Sequence, residues 1–456
     1  MHMNLHLFDD IPPDQQVQEQ PQQGYVSPVN EQFIEKLNET LKKYTQGKKN
    51  LESKIIENDR WYRSQHWDLI RGSNTNKDNP EPVTAYLFNT IANKHADAMD
   101  YYPEPNIFER EQDDVQEAQT LSKIIPLIIE KNNFRKTYSN AWWYKLKQGC
   151  SVYGVFWNPQ LEGGLGDIDI QKLDLLNIYW EPGITDIQKS PYLFVVSLVD
   201  DEALYQMYPQ TKDRVQEVKP LEIKTYVSDD TIDLQGKSLL VDAYYKKQTD
   251  DGRTVVHLTK YVDNMPLAST EDDPQTAQTG LYDHGMYPII FDTLFPEEDS
   301  PVGFGFIDII KNPQMYIDKL DQIISKNALI SGKLRTIIKD SGSINEEELA
   351  DWSKDIIHTQ GNCREGEDFA TIQAHPLPQF IVQHRENKIN ELKEIAGNRD
   401  FQQGGTAGGV TAMGAILALQ EAGNKLSRDM IGDSYAVYTQ IVYMCIELIR
   451  QFYDEP

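Results

Sequence analysis

Several residue types and motifs that mark large protein classes are scarce or absent in this chain of 456 residues. There are only three cysteines, Cys150, Cys363 and Cys445, and they lie far apart without a CxxC pair. Such sparse cysteines are ordinary in a reducing compartment, so we expect buried small apolar side chains rather than metal ligands. No run of 18 apolar residues exists, which predicts no transmembrane helix. The start MHMNLHLFDDIPP also lacks the basic and apolar segments of a secretory signal.

The common motifs of nucleotide binding and hydrolysis are also missing. The sequence contains no GxxxxGK[ST] loop, no GxSxG and no HExxH. The segment GFGF at residues 303–306 lacks the third glycine of a dinucleotide fingerprint. The histidines are scattered, and Pro376 and Pro378 prevent His375 and His384 from sharing one helix face. We therefore expect no cofactor and no metal site.

The acidic clusters favour structural interpretations over catalytic ones. Residues 346–348 open a predicted helix, where carboxylates complement the helix dipole. Asp167 and Asp169 alternate along a predicted strand and are expected to face solvent, and residues 271–273 are expected to form a solvated loop. The sequence therefore predicts no enzymatic activity, and a hydrolase with an unrecognised carboxylate site remains an alternative.

The charge of the chain is strongly acidic but unevenly distributed. The net charge is −27, which discourages tight binding to nucleic acid. Residues 305–399, however, hold 12 Lys and Arg against 15 Asp and Glu, so most of the acidity lies elsewhere.

The first two thirds of the chain predict a mixed α+β region behind a disordered arm. Residues 1–30 are rich in Gln and Pro and lack an aliphatic pattern. Apolar spacing then predicts helices, and the pattern changes to strand-like alternation at Cys150. The predicted helices cover residues 32–61, 84–101, 114–131, 134–149 and 200–208. The strand candidates cover residues 151–160, 167–174, 176–182, 192–199, 239–246, 254–262 and 287–291, with a loop at 269–279.

The last third predicts two long helices around a small insert. Asn312 and Pro313 form a typical helix start, and this helix is predicted to end before Gly332. The insert, residues 333–376, reads as a strand, a helix from 345 or 346 to about 357, and a second strand. A second long helix is predicted over residues 378–396.

A glycine-rich segment, NRDFQQGGTAGGVT at residues 398–411, separates this second helix from a long helical C-terminal segment. Glycine loses the most conformational entropy on ordering, so a loop of this composition between helices indicates a moving part or a ligand-binding part. The missing lysine excludes phosphate binding of the GxxxxGK[ST] kind. The helical pattern from 411 to 452 contains Gly414, Gly423 and Gly432, which indicate close packing or, as we favour, a kinked helix.

The order of these patterns resembles the portal (head-to-tail connector) proteins of tailed bacteriophages. The resemblance rests on four local patterns in chain order. The first is DRWYRSQHWD followed by LFNTIANKHADAMDYYPEPNIF, and the second is KQGCSVYGVFWNP followed by GDIDIQKLDLLNIYWEP. The third is YDHGMYPIIFDTLFPEEDSPVGFGFIDIIKNPQMYIDKLDQII, and the fourth is NRDFQQGGTAGGVTAMGAILALQEAGNKLSRDM. Together they cover about residues 31–456. The last is the most specific, because a Gly- and Thr-rich loop leads into a helix that contains LQE.

The resemblance implies a predominantly helical α+β portal fold that assembles into a dodecameric ring. It places a wing at residues 31–302, stem helices at 303–332 and 377–397, and a clip at 333–376. A channel loop would follow at 398–410, and a kinked helix of the wing at 411–456, with a crown that is small or absent.

The resemblance also implies a function in DNA packaging and ejection at one vertex of the virion, after assembly in the host cytoplasm. The implied partners are further copies of the chain, double-stranded DNA read without sequence preference, the large terminase ATPase, a head-tail adaptor, and the major capsid and scaffolding proteins. No membrane is implied. A ring adaptor of the neck or baseplate that never contacts DNA is the main alternative.

The residues implied to carry this function fall into three groups. The channel loop would contact DNA, two basic residues on each stem helix would lie near DNA, and the clip would contact the motor and the adaptor. The loop residues are Arg399, Asp400, Phe401, Gln402, Gln403, Gly404, Gly405, Thr406, Gly408 and Gly409. The stem residues are Lys319, Lys326, Lys388 and Lys393, and the clip residues are Lys333, Arg335, Glu346, Glu347 and Trp352.

Overall fold

The computed structural model describes residues 27–71, 79–211, 236–249, 251–332, 335–338, 344–350, 356–360, 369–372, 376–397 and 425–453. About 55% of this structure is helical and 21% is strand, which confirms a predominantly helical α+β chain. The chain divides into two compact units. Unit 1 comprises Met1–Arg63, Leu87–Ile309 and Gly397–Pro456, and unit 2 comprises Ser64–Tyr86 and Ile310–Ala396. Residues 64–86 therefore belong to the same unit as residues 310–396.

The helices follow the predicted order closely. In chain order, those within the described ranges are α1 (Glu31–Tyr62), α2 (His66–Ile70), α3 (Tyr86–Asp100), α4 (Val115–Lys131), α5 (Phe134–Gln148), α6 (Asp201–Met207), α7 (Thr276–Thr279), α8 (Phe306–Ser331), α9 (Glu346–Ala350), α10 (Gln379–Ile395) and α11 (Lys425–Phe452).

The strands form antiparallel sheets. In chain order they are β1 (Cys150–Asn158), β2 (Asp167–Leu173), β3 (Ile178–Trp180), β4 (Tyr192–Asp200), β5 (Lys237–Gln248), β6 (Thr254–Val262), β7 (Met265–Ser269), β8 (Ile289–Thr293), β9 (Phe295–Glu297), β10 (Ser300–Phe304), β11 (Arg335–Ile338) and β12 (Phe369–Ile372). The largest sheet has the order β3-β4-β5-β6-β7, and a smaller one has β2-β1-β8. The pairs β9-β10 and β11-β12 form two further sheets.

Unit 1 is built on helices that cover these two larger sheets. The helix α1 begins where the Asn30 side chain accepts a hydrogen bond from the Phe33 N–H, and its apolar side packs on the five-stranded sheet. The buried cluster between them contains Ile34, Leu37, Leu41, Tyr44, Tyr179, Phe194, Val196, Leu239, Val241, Ala243 and Tyr261. Burial of this apolar surface is the main stabilising contribution of the unit.

A single glycine directs the chain from α5 into β1. Gly149 caps α5 with a φ of +94°, and a Cβ at this position would lie 2.6 Å from the backbone carbon of Phe304. Neither the conformation nor the contact admits another residue without strain. The turn at Gly149 therefore sets the direction in which the three-stranded sheet begins.

A buried polar cluster ties the C-terminal helix to this sheet. The Lys145 Nζ on α5 donates hydrogen bonds to Asp292 Oδ1 on β8 and to Ser434 Oγ on α11, each at 2.6 Å. The Lys145 and Asp292 side chains are 0% and 2% exposed. A charge pair this deeply buried holds only because each group is hydrogen-bonded. The cluster therefore fixes the position of α11 on the sheet.

Three acidic side chains of unit 1 are more buried than expected. Asp167 is buried and accepts a hydrogen bond from Lys131 Nζ at 3.3 Å, and Asp169 is half-buried. Glu271 is also buried, because the Tyr245 hydroxyl and Lys247 Nζ each donate to its carboxylate at 2.6 Å. Asp272 and Asp273 are exposed as expected, and the predicted loop at 269–279 ends in the helical turn α7. Sequence pattern alone does not show that such carboxylates have partners distant in the chain.

The first of the two predicted long helices begins earlier than predicted. The helix α8 starts at Phe306, and Pro313 lies inside it. Asp308 Oδ2 accepts a hydrogen bond from the Gly305 N–H at 3.0 Å, which caps the first turn. A proline inside a helix costs about 3 kcal/mol. The complete burial of Phe306 and Ile307 offsets this cost, since each buried apolar side chain contributes roughly 1.5–3 kcal/mol.

In the part of the insert that the structure describes, both predicted strands are present and the helix ends before residue 356. The strands β11 and β12 pair antiparallel, with Arg335 opposite Ile372. Residues 356–360 are not helical, so the expected helix end near 357 is wrong. The chain instead forms an antiparallel bridge between Ile344 and Thr359, and the His358 N–H donates to Glu348 Oε2 at 2.8 Å. These contacts bring the residues after α9 back to its start.

The C-terminal helix α11 continues without interruption through Gly432, where a Cβ would meet no other atom within 4 Å. Close packing therefore does not explain this glycine. Gly414 and Gly423, where a kink is also expected, lie outside the described residues, and the kink remains a prediction. Among the described residues, no helix has both the length and the apolar content needed to cross a bilayer.

Candidate functional site

The predicted channel loop cannot be located, because residues 398–424 lie outside the described ranges. This applies to every implied loop residue from Arg399 to Gly409. The described chain before the loop ends with α10, whose C-cap is Ala396, and Gly397 follows with a φ of +68°. The role of the loop stays a prediction.

The predicted clip residues are only partly described. Lys333 and Trp352 lie outside the described residues. Arg335 opens β11, and Glu346 and Glu347 form the first turn of α9, with the Glu347 side chain exposed. The structure therefore places three of these residues in the insert between α8 and α10 and does not show them in one cluster.

The four predicted stem lysines have two different environments. Lys319 and Lys326 on α8 are exposed. Lys388 and Lys393 on α10 are half-buried, and Lys388 Nζ forms an ion pair with Glu391 Oε2 at 2.6 Å. The structure thus separates an exposed basic pair on α8 from a partly shielded pair on α10.

Within unit 2, the covered side of α8 is rich in polar groups. Gln314 and Asp318 are both 0% exposed. Gln314 Nε2 donates to the Thr84 carbonyl at 2.8 Å and to Asp318 Oδ1 at 2.9 Å, and the buried His66 Nδ1 lies 2.6 Å from Asp318 Oδ2. These hydrogen bonds satisfy groups that would otherwise be costly to bury. The residues 64–86 thus supply the polar partners of α8.

One turn further along, α8 is joined to α10. Arg385 of α10 donates to Asp321 through its Nε, and through a terminal nitrogen at 3.1 Å, while the Thr84 hydroxyl donates to the same carboxylate at 3.3 Å. The hydrogen bond with Asp321 raises the pKa of the Arg385 guanidinium. A bidentate pair of this kind fixes orientation as well as distance. It therefore sets which side of each helix faces the other.

The opposite side of α8 carries exposed apolar residues. Tyr316, Ile323 and Ile330 recur every seven residues and are 55%, 47% and 39% exposed. Lys319 and Lys326 lie between them, at the same seven-residue spacing. At about 100° per residue, all five lie within an arc of about 80°. We call these five residues the α8 stripe.

The α8 stripe exposes large apolar side chains on a helix whose covered side holds both polar and apolar groups. A helix at the surface of a monomer normally turns its apolar side inward and its polar side to water. Here the fully buried residues include Gln314 and Asp318 as well as Ile310 and Ile317, and three further large apolar side chains are outside. A row of large exposed apolar side chains along one side of a helix is a candidate interaction surface. The helix is therefore suited to a partner that covers its outer side.

The sequence identified the two lysines of the stripe as candidate site residues. It placed Ile323 and Ile330 on the apolar side of a predicted helix and did not predict that they are exposed. The signal that could have separated them is the seven-residue repeat of Tyr316, Ile323 and Ile330 interleaved with lysine. In the described ranges, no group of three or more His, Cys, Asp or Glu side chains is placed to hold a metal ion. Neither a protein-family model nor a curated protein matches this chain.

Proposed function

We propose that this chain is a portal protein of a tailed bacteriophage. As such it forms a dodecameric ring at one capsid vertex, and DNA enters and leaves the capsid through the channel of the ring. The observation that carries the proposal is the α8 stripe. A long helix that exposes Tyr316, Ile323 and Ile330 while burying Gln314 and Asp318 is suited to a subunit that is covered by its neighbours.

The order of elements in unit 2 and after it supports the same proposal. Two helices, α8 and α10, flank a small module of β11, α9 and β12, and the glycine-rich segment and α11 follow. In a portal these elements correspond to the two stem helices, the clip, the channel loop and the wing helix. The clip then contacts the packaging ATPase and the head-tail adaptor.

The acidity of the chain fits a conduit for DNA. Every phosphate contact that releases counterions strengthens binding and slows sliding. A net charge of −27 keeps such contacts few. In this proposal the neutral polar side chains Gln402, Gln403 and Thr406 touch the DNA backbone weakly and without sequence preference.

The decisive experiment has two readouts. Electron microscopy of the purified chain should show closed rings with a central channel. Procapsids assembled with this chain and supplied with the motor ATPase should package DNA, and procapsids without it should not. If rings form but procapsids that contain them do not package DNA, the chain is a neck or baseplate adaptor. If no rings form, both the portal and the adaptor functions are contradicted.

Deletion of residues 402–409 tests the loop separately. We expect the variant to form rings as the wild type does and to lose packaging or retention of DNA. Replacement of the same residues by an equally long Gly-Ser segment controls for the length of the loop. Loss of rings on deletion, or packaging at the wild-type level, would contradict the assigned role.

A further inference from the structure

Aromatic rings and ammonium groups from four elements of unit 1 form one continuous row. The rings of Phe88 on α3 and Tyr62 at the end of α1 have their centroids 5.4 Å apart. Lys147 Nζ on α5 lies 4.6 Å from the centroid of the Tyr62 ring and 4.3 Å from that of the Tyr144 ring. Lys172 Nζ on β2 lies 3.4 Å from the Tyr144 centroid. Rings and cations therefore alternate along the row, each cation held by the face of a ring.

Two more rings extend the row from Tyr62. The Trp143 centroid is 6.3 Å from that of Tyr62, and the His95 and Trp143 rings are stacked with their centroids 4.0 Å apart. Burial lowers the pKa of His95, so its ring is neutral near pH 7. We call the following seven residues the aromatic–basic surface: Tyr62, Phe88, His95, Trp143, Tyr144, Lys147 and Lys172.

The aromatic–basic surface is accessible to solvent. Phe88 is 44% exposed, and every other member except the buried Lys147 is partly exposed. Trp142, the neighbour of Trp143 in the sequence, is only 1% exposed, as expected for a ring that serves the core. The rings of Phe88 and Trp143 therefore offer part of their area to a flat partner.

The local charge is opposite to that of the whole chain. Residues 131–161 contain five Lys and Arg and no Asp or Glu, although the net charge of the chain is −27. Beside α5, Asp59 is the carboxylate that pairs with both Lys147 and Arg63, at 3.3 and 2.7 Å. One negative charge thus serves two cations.

Lys172 adds a cation that lacks a pairing carboxylate. Among the residues that the structure describes, Lys172 Nζ makes neither an ion pair nor a hydrogen bond, and its contact is the Tyr144 ring. Burial lowers the pKa of Lys172 to about 8, while Asp174 opposes this decrease and Lys147 adds to it. A bound anion would reduce the repulsion between the two lysines and favour their charged forms.

We infer that the aromatic–basic surface binds single-stranded nucleic acid. Unpaired bases stack on aromatic rings without sequence preference, and cations next to the rings attract the phosphates. An acidic protein would be attracted by the lysines but would leave the rings unused, and a duplex keeps its bases paired inside. The inference goes beyond the proposed portal function and does not depend on a ring, because all seven residues lie in one unit of one chain.

Fluorescence anisotropy of a labelled oligothymidylate, titrated with the full chain at low salt, tests the inference. We expect Phe88→Ala to weaken binding by about 5- to 150-fold, the range that follows from removing a ring that stacks on one base. Lys172→Gln should weaken binding and reduce the slope of log affinity against log salt by about 0.7, the value for one phosphate contact on a single strand. Lys172→Arg keeps the charge and should bind as the wild type does.

Matched controls separate this effect from general changes in aromatic content and charge. Phe108→Ala removes a ring that is 79% exposed elsewhere in unit 1, and Lys123→Gln removes an exposed cation of α4. We expect both controls to bind as the wild type does. Circular dichroism spectra of all variants should match that of the wild type. If Phe88→Ala misfolds, the comparison of Lys172→Gln with Lys172→Arg still decides.

Four results would overturn the inference. The first is a wild-type chain that does not bind the oligonucleotide, and the second is binding that Phe88→Ala and Lys172→Gln leave unchanged. The third is a DNA duplex of the same length that binds equally well, because paired bases cannot stack on the rings. The fourth is polyglutamate that binds as tightly, which would indicate an acidic protein as the partner. A chain that binds the oligonucleotide through this surface and forms no ring would contradict only the proposed function.

Discussion

The buried cluster of Lys145, Asp292 and Ser434 allows a quantitative test of how α11 is held. Replacement of Lys145 by methionine keeps most of the apolar volume and removes the cation. The Asp292 carboxylate, 2% exposed, would then keep only the Ser434 hydroxyl, at 3.3 Å, among these partners. Loss of one member of a buried charge pair costs about 3–5 kcal/mol, because the remaining charge stays desolvated.

The assay is urea unfolding followed by circular dichroism, combined with hydrogen exchange of the α11 amides. Lys145→Met should lower the free energy of unfolding of unit 1 by about 3–5 kcal/mol and increase exchange around Ser434. Adding Asp292→Asn should recover part of the loss, because the uncompensated charge is gone. Lys136→Met, at an exposed position of the same helix, should change stability by less than about 0.5 kcal/mol.

A loss below about 1 kcal/mol for Lys145→Met would refute the reasoning, because it would mean that water or a side-chain movement solvates Asp292. A double variant less stable than Lys145→Met alone would also refute it. In that case the hydrogen-bonding capacity of Asp292, and not its charge, would be the dominant contribution.

Two further predictions concern pH and backbone conformation in unit 1. Burial lowers the pKa of Lys48 to about 7, although its Nζ donates to the carbonyls of Leu175, Leu176 and Ile178. Because the folded state then binds fewer protons than the unfolded state above that pH, the free energy of unfolding should rise by about 3 kcal/mol between pH 7 and about pH 9.5. Urea unfolding at several pH values should show this rise in the wild type and not in Lys48→Met, and parallel curves would contradict it. Gly149→Ala should destabilise the chain by more than about 1 kcal/mol, since the new Cβ meets the Phe304 backbone at a positive φ. Gly252→Ala, also at positive φ but with no atom within 4 Å, should cost less, and equal losses of melting temperature would show that the contact does not matter.

Local periodicity was sufficient to predict most helices and strands of this chain. The predicted strand at 254–262 coincides with β6, and the predicted helix at 378–396 differs from α10 only at its capping residues. These elements are long and strongly patterned, and their patterns depend only on residues near one another. The burial of Cys150 and Cys445 as free thiols is also as predicted.

The errors occur where two local signals compete or where the partner is distant in the chain. Asn312 and Pro313 are a good helix start, but so is the Gly305–Asp308 hydrogen bond, and the burial of Phe306 and Ile307 favours the earlier start. The burial of Glu271 depends on Tyr245 and Lys247 in β5, which pair with it only after the sheet has formed.

The sequence by itself predicted two long helices, a small α/β insert between them, and the recurrence of lysines along α8. Only the tertiary structure decided that Tyr316, Ile323 and Ile330 face outward while Gln314 and Asp318 face inward. The physical reason is that apolar spacing records which residues of a helix share a side. It does not record whether that side is covered by the same chain or by another one. For α8, the contacts with His66, Thr84 and Arg385 determine which side of the helix is covered by the same chain.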